Sequence, residues 1–528
     1  MQMNIFHISL ILSPLLCSMV QGARILVFLP LETWSHYMQY ELVYETLATR
    51  GHHITMYSPY PPKQNITNFQ HIYITSQAFL KMMEEFDVWR DCKDTNWFFL
   101  DTIHTRTLAQ QLNQEILESL TFRELITSKQ SFDLVMIEPF FHQECTVLLG
   151  HVFKAPVINM GAVPPQAAML DAMHSPNLPS FMPEIYSSLT AEMTFLERIQ
   201  NWHYTVVRFL DRLVRNWLLD RMIEEQLGPG YPPLDSMVKN ISFCFLYGSP
   251  ALEYAKPLTP NMAEVGGIHI QRINTLNIPE DFKKTLDEAT DGLILFSFGT
   301  VISPKTLSPH LKKTLLTVFS KLRKYKILWK WSGEPLPGLP PNVIQQKWIP
   351  QMAVLAHPNC KLFITHGGLS SQLETVYQGV PVVTIPFFGD QFSNAAKAVD
   401  YGFGVVLKNT NLTTESLEWA ITTVIQDPSY KERAMLRSRL IKDYASSPLD
   451  TAVYWTEYVL QHGGASHLTP ASKQLNWYQY YLLDVLAFIL GLLILMWVIL
   501  SAIVKTFIRK FSSNSSPSNK DLKIKKNR

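Results

Sequence analysis

Two features of this chain could do chemistry: a histidine just after the first apolar run beyond the N-terminus and a glycine-hinged run of polar residues far downstream. His36, in WSHY from Trp34 to Tyr37, follows the first apolar run, and an ordinary imidazole pKa near 6.5 suits a general base working at neutral pH. The second feature is FITHGGLSSQLETVYQGVPVVTIPFFGDQ, from Phe363 to Gln391. Leu362 to Thr365 reads as a short buried strand, His366, Gly367 and Gly368 as a tight turn, and Ser370 to Tyr377 as a helix stopped by Gly379. A glycine turn that opens a helix presents unpaired backbone N–H groups to a phosphate, with His366 beside it. Glu374 brings two acceptor oxygens suited to the vicinal hydroxyls of a ribose. Val380 to Pro386 returns as a second strand, so Asp390 and Gln391 fall past its carboxyl end, where open α/β sheets place ligands. An acid–amide pair there fits sugar hydroxyls, and the whole run reads as a site for a nucleotide sugar. Gly402-Phe403-Gly404 begins like a dinucleotide loop but lacks the third glycine and the acidic follower, and is discounted.

The Phe363–Gln391 run resembles the signature of the UDP-glycosyltransferases, the family that includes the UDP-glucuronosyltransferases of the endoplasmic reticulum. His366, Gly367, Gly368, Glu374, Pro381, Pro386, Asp390 and Gln391 stand at that family's spacings. The resemblance implies a GT-B fold and transfer of a hexosyl group from a UDP-sugar to a hydroxyl of a small lipophilic acceptor, with inversion to a β-glycoside. The UDP-sugar would be a co-substrate, with no cofactor and no metal. His36 then corresponds to the catalytic base. Relatives pair that base with an aspartate, and the matching run FDLVMIEPF carries Glu138 instead, with Glu144 six residues on as a substitute candidate. In KWIPQ, Trp348 and Gln351 resemble residues that stack on uracil and hydrogen-bond its edge or the ribose, although core is the commoner fate of such a tryptophan. Ser297 and Thr300 in FSFGT look like phosphate contacts, and Ser370 stands where many relatives carry Asn.

The donor sugar is left open between glucose and glucuronic acid. Lys256 in AKPLTPNM takes the place of an arginine that could face a glucuronate carboxylate, and lysine keeps the charge without the bidentate fork. GGIH, Gly266 to His269, looks more like invertebrate relatives that use UDP-glucose, which is the favoured donor. The alternative to an enzyme is a noncatalytic nucleotide-sugar-binding partner of an active homologue, suggested by the departures at Glu138 and Ser370.

Two α/β halves must position these residues. Arg24 to Leu29, Met38 to Arg50 and His53 to Tyr57 read as strand, helix and strand, and Phe132 to Ile137 and Val157 to Met160 as further buried strands. A second series starts with LILFSFGT and passes through a helix at Ser308 to Leu322 and a strand at Lys326 to Trp329. The expected division is an acceptor-binding Rossmann-like domain at 23–256, a linker at 257–284 and a UDP-sugar-binding Rossmann-like domain with late helices at 285–470, the two facing a cleft. Phe79, Phe86, Trp89, Trp97, Phe98, Phe99, Met169, Met173, Phe181 and Met182 offer an apolar, adaptable lining for the acceptor.

The 528 residues, 47% hydrophobic and 17% charged, suffice for two or three cores, and a net charge of +2 argues against a nucleic-acid partner. Residues 1–22 read as a signal peptide built on the apolar stretch Ile5 to Leu16. Residues 481–504 are long enough, at about 36 Å of helix, to cross a bilayer. Trp477, Tyr478, Tyr480 and Tyr481 lie on one side of that span and Lys505, Arg509 and Lys510 on the other, which predicts a single-pass protein with lumenal domains and a cytosolic tail at 505–528. Lys525 and Lys526 resemble a dilysine signal for retention in the endoplasmic reticulum, and Asn65, Asn240 and Asn411 are lumenal glycan candidates. Cys92, Cys145, Cys244 and Cys360 lack metal-ligand spacing. A homo-oligomer is compatible with the sequence.

Overall fold

The computed structural model describes residues 22–87, 91–92, 97–275, 278–300, 302 and 307–514. Residues 1–21 of the expected signal segment, Trp89, Lys525 and Lys526 lie outside them, as do the side chains of Trp97, Phe98 and Phe99.

The apolar runs assemble into two wholly parallel sheets within one unit, Met1–Thr469. In the first, β1 (Arg24–Phe28) and β4 (Leu134–Ile137) are central, flanked by β2 (His53–Ser58) and β3 (Phe69–Tyr73) on one side. On the other lie β5 (Val157–Gly161), β6 (Phe243–Leu246) and β7 (Met262–Glu264). The second sheet repeats the plan: β8 (Leu293–Ser297) and β11 (Cys360–Thr365) are central, β9 (Lys326–Lys330) and β10 (Val343–Gln346) extend one side, and β12 (Val382–Thr384) and β13 (Gly404–Val406) the other. β1 registers on β4 through Phe28 opposite Ile137, and β8 on β11 through Ser297 opposite Thr365. The direction of winding reverses at each central pair, so the loops after those strands diverge and leave a crevice. His36, Glu138, Thr300 and His366 all come from those loops or the turns they feed.

Because the strands are covered on both faces, their side chains divide by alternation. Leu26 and Phe28 join one core, while Ile25 and Val27 join another that continues through Val265 and Ile268 to Leu293, Leu295 and Phe363 of the second sheet. The two halves therefore share apolar core. The helix Pro448–Gln461 crosses back to the first sheet, where Trp455 stacks on Phe243 at 4.9 Å and Glu457 pairs with Arg50 at 2.9 Å. Strands β3, β6, β7, β10 and β13 add to those expected from sequence; all five are three to five residues long, too short for a periodic signal.

Separately, residues Leu483–Asn514 form an exposed helix whose most apolar 18-residue stretch has a mean hydropathy of 2.9, enough by length and composition to cross a membrane. It begins two residues later than expected, after Leu482 in the left-handed region at φ 54°, and continues beyond Val504 through the basic residues. Asp484 stands in its first turn.

Candidate active site

His36 occupies the first turn of the helix Trp34–Thr49 that follows β1, and Glu138 directly follows β4. Adjacent strands thus bring together residues 102 apart, with His36 Nδ1 2.8 Å from Glu138 Oε1. The longer acid reaches the imidazole. Glu138 is 4% exposed, and the edge of Phe141 closes over the ring at 4.4 Å between centroids. With Nδ1–H donated to the carboxylate, Nε2 carries the lone pair. Burial pulls the His36 pKa down, but the charge and hydrogen bond of Glu138, joined by Asp390, outweigh it and leave it raised. Glu144 has other partners: Arg215 Nη1 at 3.1 Å and Asn113 Nδ2 at 3.0 Å, both from helices packed behind the site.

Across the cleft, β11 delivers His366 into a slot between two glycines. A Cβ on Gly299 would stand 2.8 Å from its Cε1, and one on Gly368 2.6 Å from its Nε2. Gly367 makes the turn at φ 87°, and the helix Leu369–Gln378 starts there with Gly368 as its cap residue and no side chain over its end. His366 is pushed down to about 4 by burial and by Lys330, so at neutral pH it is an uncharged hydrogen-bonding group; its Nδ1 has no partner. Glu374, on the same helix, accepts from Gln351 Nε2 at 2.6 Å, and Gln351 also donates to Ser371 Oγ at 3.0 Å. Trp348 is 65% exposed, which removes the core alternative, and Lys330 Nζ sits 5.5 Å from its ring centroid.

Beyond β12 of the second sheet, Asp390 Oδ2 accepts from Asn394 at 2.8 Å, and burial raises its pKa against the opposing pull of Asn394, Lys397 and His36. Gln391 Oε1 accepts from the backbone N–H of Phe387 at 2.9 Å, which fixes the side chain and leaves its amide N–H groups for a ligand. His36, Thr300, Trp348, Gln351, His366, Gly368, Ser370, Glu374, Asp390 and Gln391 all line one cleft of about 1070 Å³.

Several expected residues sit elsewhere. Ser297 is 2% exposed and its hydroxyl accepts from Gly299 N at 3.2 Å, so it shapes the turn behind Thr300 instead of lining the cleft. Met169 and Met173 are core, and Met182 and Phe181 line a separate small cavity with Lys256. Lys256 Nζ pairs there with Glu253 at 3.3 Å, away from the cleft. Phe79 and Phe86 do line the cleft, joined by Met82, Met83 and Phe141. Asn65, Asn240 and Asn411 are exposed, and the four described cysteines are buried free thiols.

Three of the cleft residues that sequence reasoning missed stand against the donor wall. Lys330, the last residue of β9, places a cation between Trp348 and the His366 turn. Gln39 stands one helical turn after His36, a spacing that could have revealed it; its Nε2 donates to Ala162 O at 3.0 Å and Ser370 Oγ at 3.1 Å, linking the base helix to the donor helix. His269, from the segment joining the halves, comes within 3.2 Å of Glu374 Oε1.

Two parallel sheets flanking a cleft, with a histidine–carboxylate pair on one wall and a phosphate-sized helix N-terminus on the other, define a glycosyltransferase of the GT-B class. Solved structures agree on the fold. The glycosyltransferase of kitacinnamycin aligns with a TM-score of 0.55 and 17% identity over 83% of this chain and 99% of its own. A UDP-glucose: anthocyanidin 3-O-glucosyltransferase in complex with UDP aligns at 0.53 and 14%, covering 84% and 99%. The family described as UDP-glucoronosyl and UDP-glucosyl transferase matches residues 23–516. The chain is 34% identical to UDP-glycosyltransferase UGT5 of Dactylopius coccus over 96% of both chains, and 30% identical to UDP-glucuronosyltransferase 1-2 of Mus musculus over 91% of both. The chain belongs to this family of UDP-glycosyltransferases.

Proposed function

We propose that the chain transfers a hexosyl group, glucose in preference to glucuronic acid, from a UDP-sugar to a hydroxyl of small lipophilic acceptors, with inversion to a β-glycoside. The observation that carries this reading is the 2.8 Å His36–Glu138 pair facing the Asp390 end of the donor wall. His36 Nε2 takes the acceptor's hydroxyl proton as the oxygen attacks the anomeric carbon of the α-linked donor. The bond from that carbon to the diphosphate breaks and its electrons leave with UDP. Glu138 orients the ring and stabilises the imidazolium. Trp348 stacks on uracil, Gln351 and Glu374 hold the nucleoside, Thr300 and the Gly368 turn receive the diphosphate, and Asp390 and Gln391 grip the sugar. Charge on the departing UDP is met by the helix N-terminus and Lys330, with neutral His366 as a hydrogen-bonding group, so the mechanism calls for no metal.

The apolar wall from Phe79 to Phe86 and Phe141 favours lipophilic acceptors. The terminal apolar helix, the aromatic belt before it and the basic residues after it support anchoring in the endoplasmic reticulum membrane with the catalytic halves in the lumen. The engagement of Lys256 by Glu253 supports glucose. A UDP-release assay with a simple phenol is expected to run faster with UDP-glucose than with UDP-glucuronic acid, and Lys256→Ala should leave that preference unchanged. A strong preference for UDP-glucuronic acid that vanishes in Lys256→Ala would reverse the assignment.

Glu138→Gln and Glu144→Gln separate the two acids. Because Glu138 raises the His36 pKa, removing its charge should move the acidic limb of kcat/KM to lower pH while the plateau falls at least about tenfold. Glu144→Gln should leave the limb in place and reduce stability, since it removes the charge paired with Arg215. A limb that moves only in Glu144→Gln would reassign the pair.

A further inference from the structure

The donor carboxylate Glu374 is approached from the opposite half of the molecule by a second buried pair. β6 ends at Leu246, and Tyr247, the next residue, is fully buried. The segment that leaves β7 runs back against it: Gly266 N donates to Gly248 O at 2.8 Å, and a Cβ on Gly266 would stand 2.5 Å from that same oxygen. Gly267 then turns at φ 99°. Gly266 thus allows a backbone approach that any side chain would block and Gly267 a turn that favours glycine, and their joint result is to set His269 against Tyr247. The Tyr247 hydroxyl hydrogen-bonds His269 Nδ1. His269 is 7% exposed and lines the cleft; its Nε2 lies 3.2 Å from Glu374 Oε1 but forms no hydrogen bond with any protein atom.

The direction of the Tyr247–His269 bond follows from this geometry. Burial keeps the Tyr247 hydroxyl protonated, so it can donate to Nδ1, and Nε2 then carries the ring proton. The opposite tautomer would set a lone pair beside a carboxylate oxygen 3.2 Å away, which is repulsive. Glu374 meanwhile has Oε2 engaged by Gln351, leaving Oε1 beside the His269 N–H. A ribose hydroxyl both donates and accepts. An ionised glutamate can only accept, so a hydroxyl bound to Glu374 alone would have an unmatched oxygen inside a buried site.

We propose that His269, held in one tautomer by Tyr247, is a second ribose-binding residue: one hydroxyl of the nucleotide donates to Glu374 Oε1 and accepts from His269 Nε2–H. The proposal rests on the reading of Glu374 as the ribose acceptor. It makes donor affinity depend on a residue outside the second sheet, and it assigns the glycines of GGIH a role in placing that residue.

The test compares UDP with 2′,3′-dideoxy-UDP on the detergent-solubilised full chain by calorimetry. His269→Leu is expected to weaken UDP by about 5- to 30-fold and leave dideoxy-UDP unchanged, because only the hydroxyl contact is lost. His269→Gln, whose amide N–H can stand near Nε2, should recover most of the loss. Tyr247→Phe, which keeps the ring and releases the tautomer, should weaken UDP by about threefold with no effect on dideoxy-UDP, and it serves if His269→Leu does not fold. Equal losses for both nucleotides, or none for UDP, would overturn the proposal. If Glu374→Gln erases the wild-type preference for UDP while His269→Leu and Tyr247→Phe retain it, His269 is dismissed and the Glu374 reading stands. If the wild type binds both nucleotides equally, the ribose reading itself falls.

Discussion

His36→Ala is expected to lower kcat by about 100-fold or more while UDP affinity stays within about twofold. The size follows from losing the group that accepts the acceptor's proton; an alcohol or phenol attacking without a base must shed its proton to water in a cleft walled by Phe79, Phe86 and Phe141. The selectivity follows from placement. His36 stands on the helix after β1, whereas Trp348, Glu374 and the Gly368 turn belong to the second sheet, so the nucleotide's contacts survive the substitution. Stopped-flow turnover with isothermal titration of UDP measures both. Full activity in the variant would refute the base assignment. Equal losses of turnover and UDP affinity would show instead that His36 acts through the shape of the cleft.

The largest expected effect on stability comes from Glu253. Its carboxylate meets Lys397 at 2.6 Å and Lys256 at 3.3 Å, and both Glu253 and Lys397 are 2% exposed. Burial opposes ionising Glu253, yet Lys397 and then Lys256 hold its pKa below the usual value; nearby Glu264, with burial leading and Glu253 following, is pushed up to about 7. Glu253→Ala strands the Lys397 ammonium in the interior and is expected to cost about 3–5 kcal/mol, whereas Glu253→Leu combined with Lys397→Met should recover most of it. Because Lys397 lies on the helix that begins at Gln391 and Glu253 lies beyond β6, the loss falls where the two halves meet. Calorimetric or fluorimetric unfolding measures it. A single variant within about 1 kcal/mol of wild type would show that the pair contributes little.

The sequence determined the parts that depend on local periodicity and spacing. The strand–turn–helix of Leu362 to Tyr377, the Gly367 and Gly379 turns and the long terminal apolar helix are set by short-range sterics, backbone hydrogen bonding and hydrophobic content. The lining positions of His366, Glu374, Asp390 and Gln391 follow because they lie inside or just beyond one such unit. What only tertiary structure decided is which distant residues meet. Glu138 and Glu144 are both acids just past one strand, and the register of β4 beside β1 gives Glu138 to His36 while packing against the helix Phe195–Leu227 gives Glu144 to Arg215. Ser297 and Thr300 look alike as hydroxyls, but the turn at Gly299 buries one and faces the other to the cleft. Lys256, Gln39 and His269 have partners 3, 331 and 105 positions away in the chain, and only the last two of those contacts join the donor wall. Local spacing at most places Gln39 on the face of His36; the partners of Gln39 and His269 are fixed by how two sheets close on a shared core.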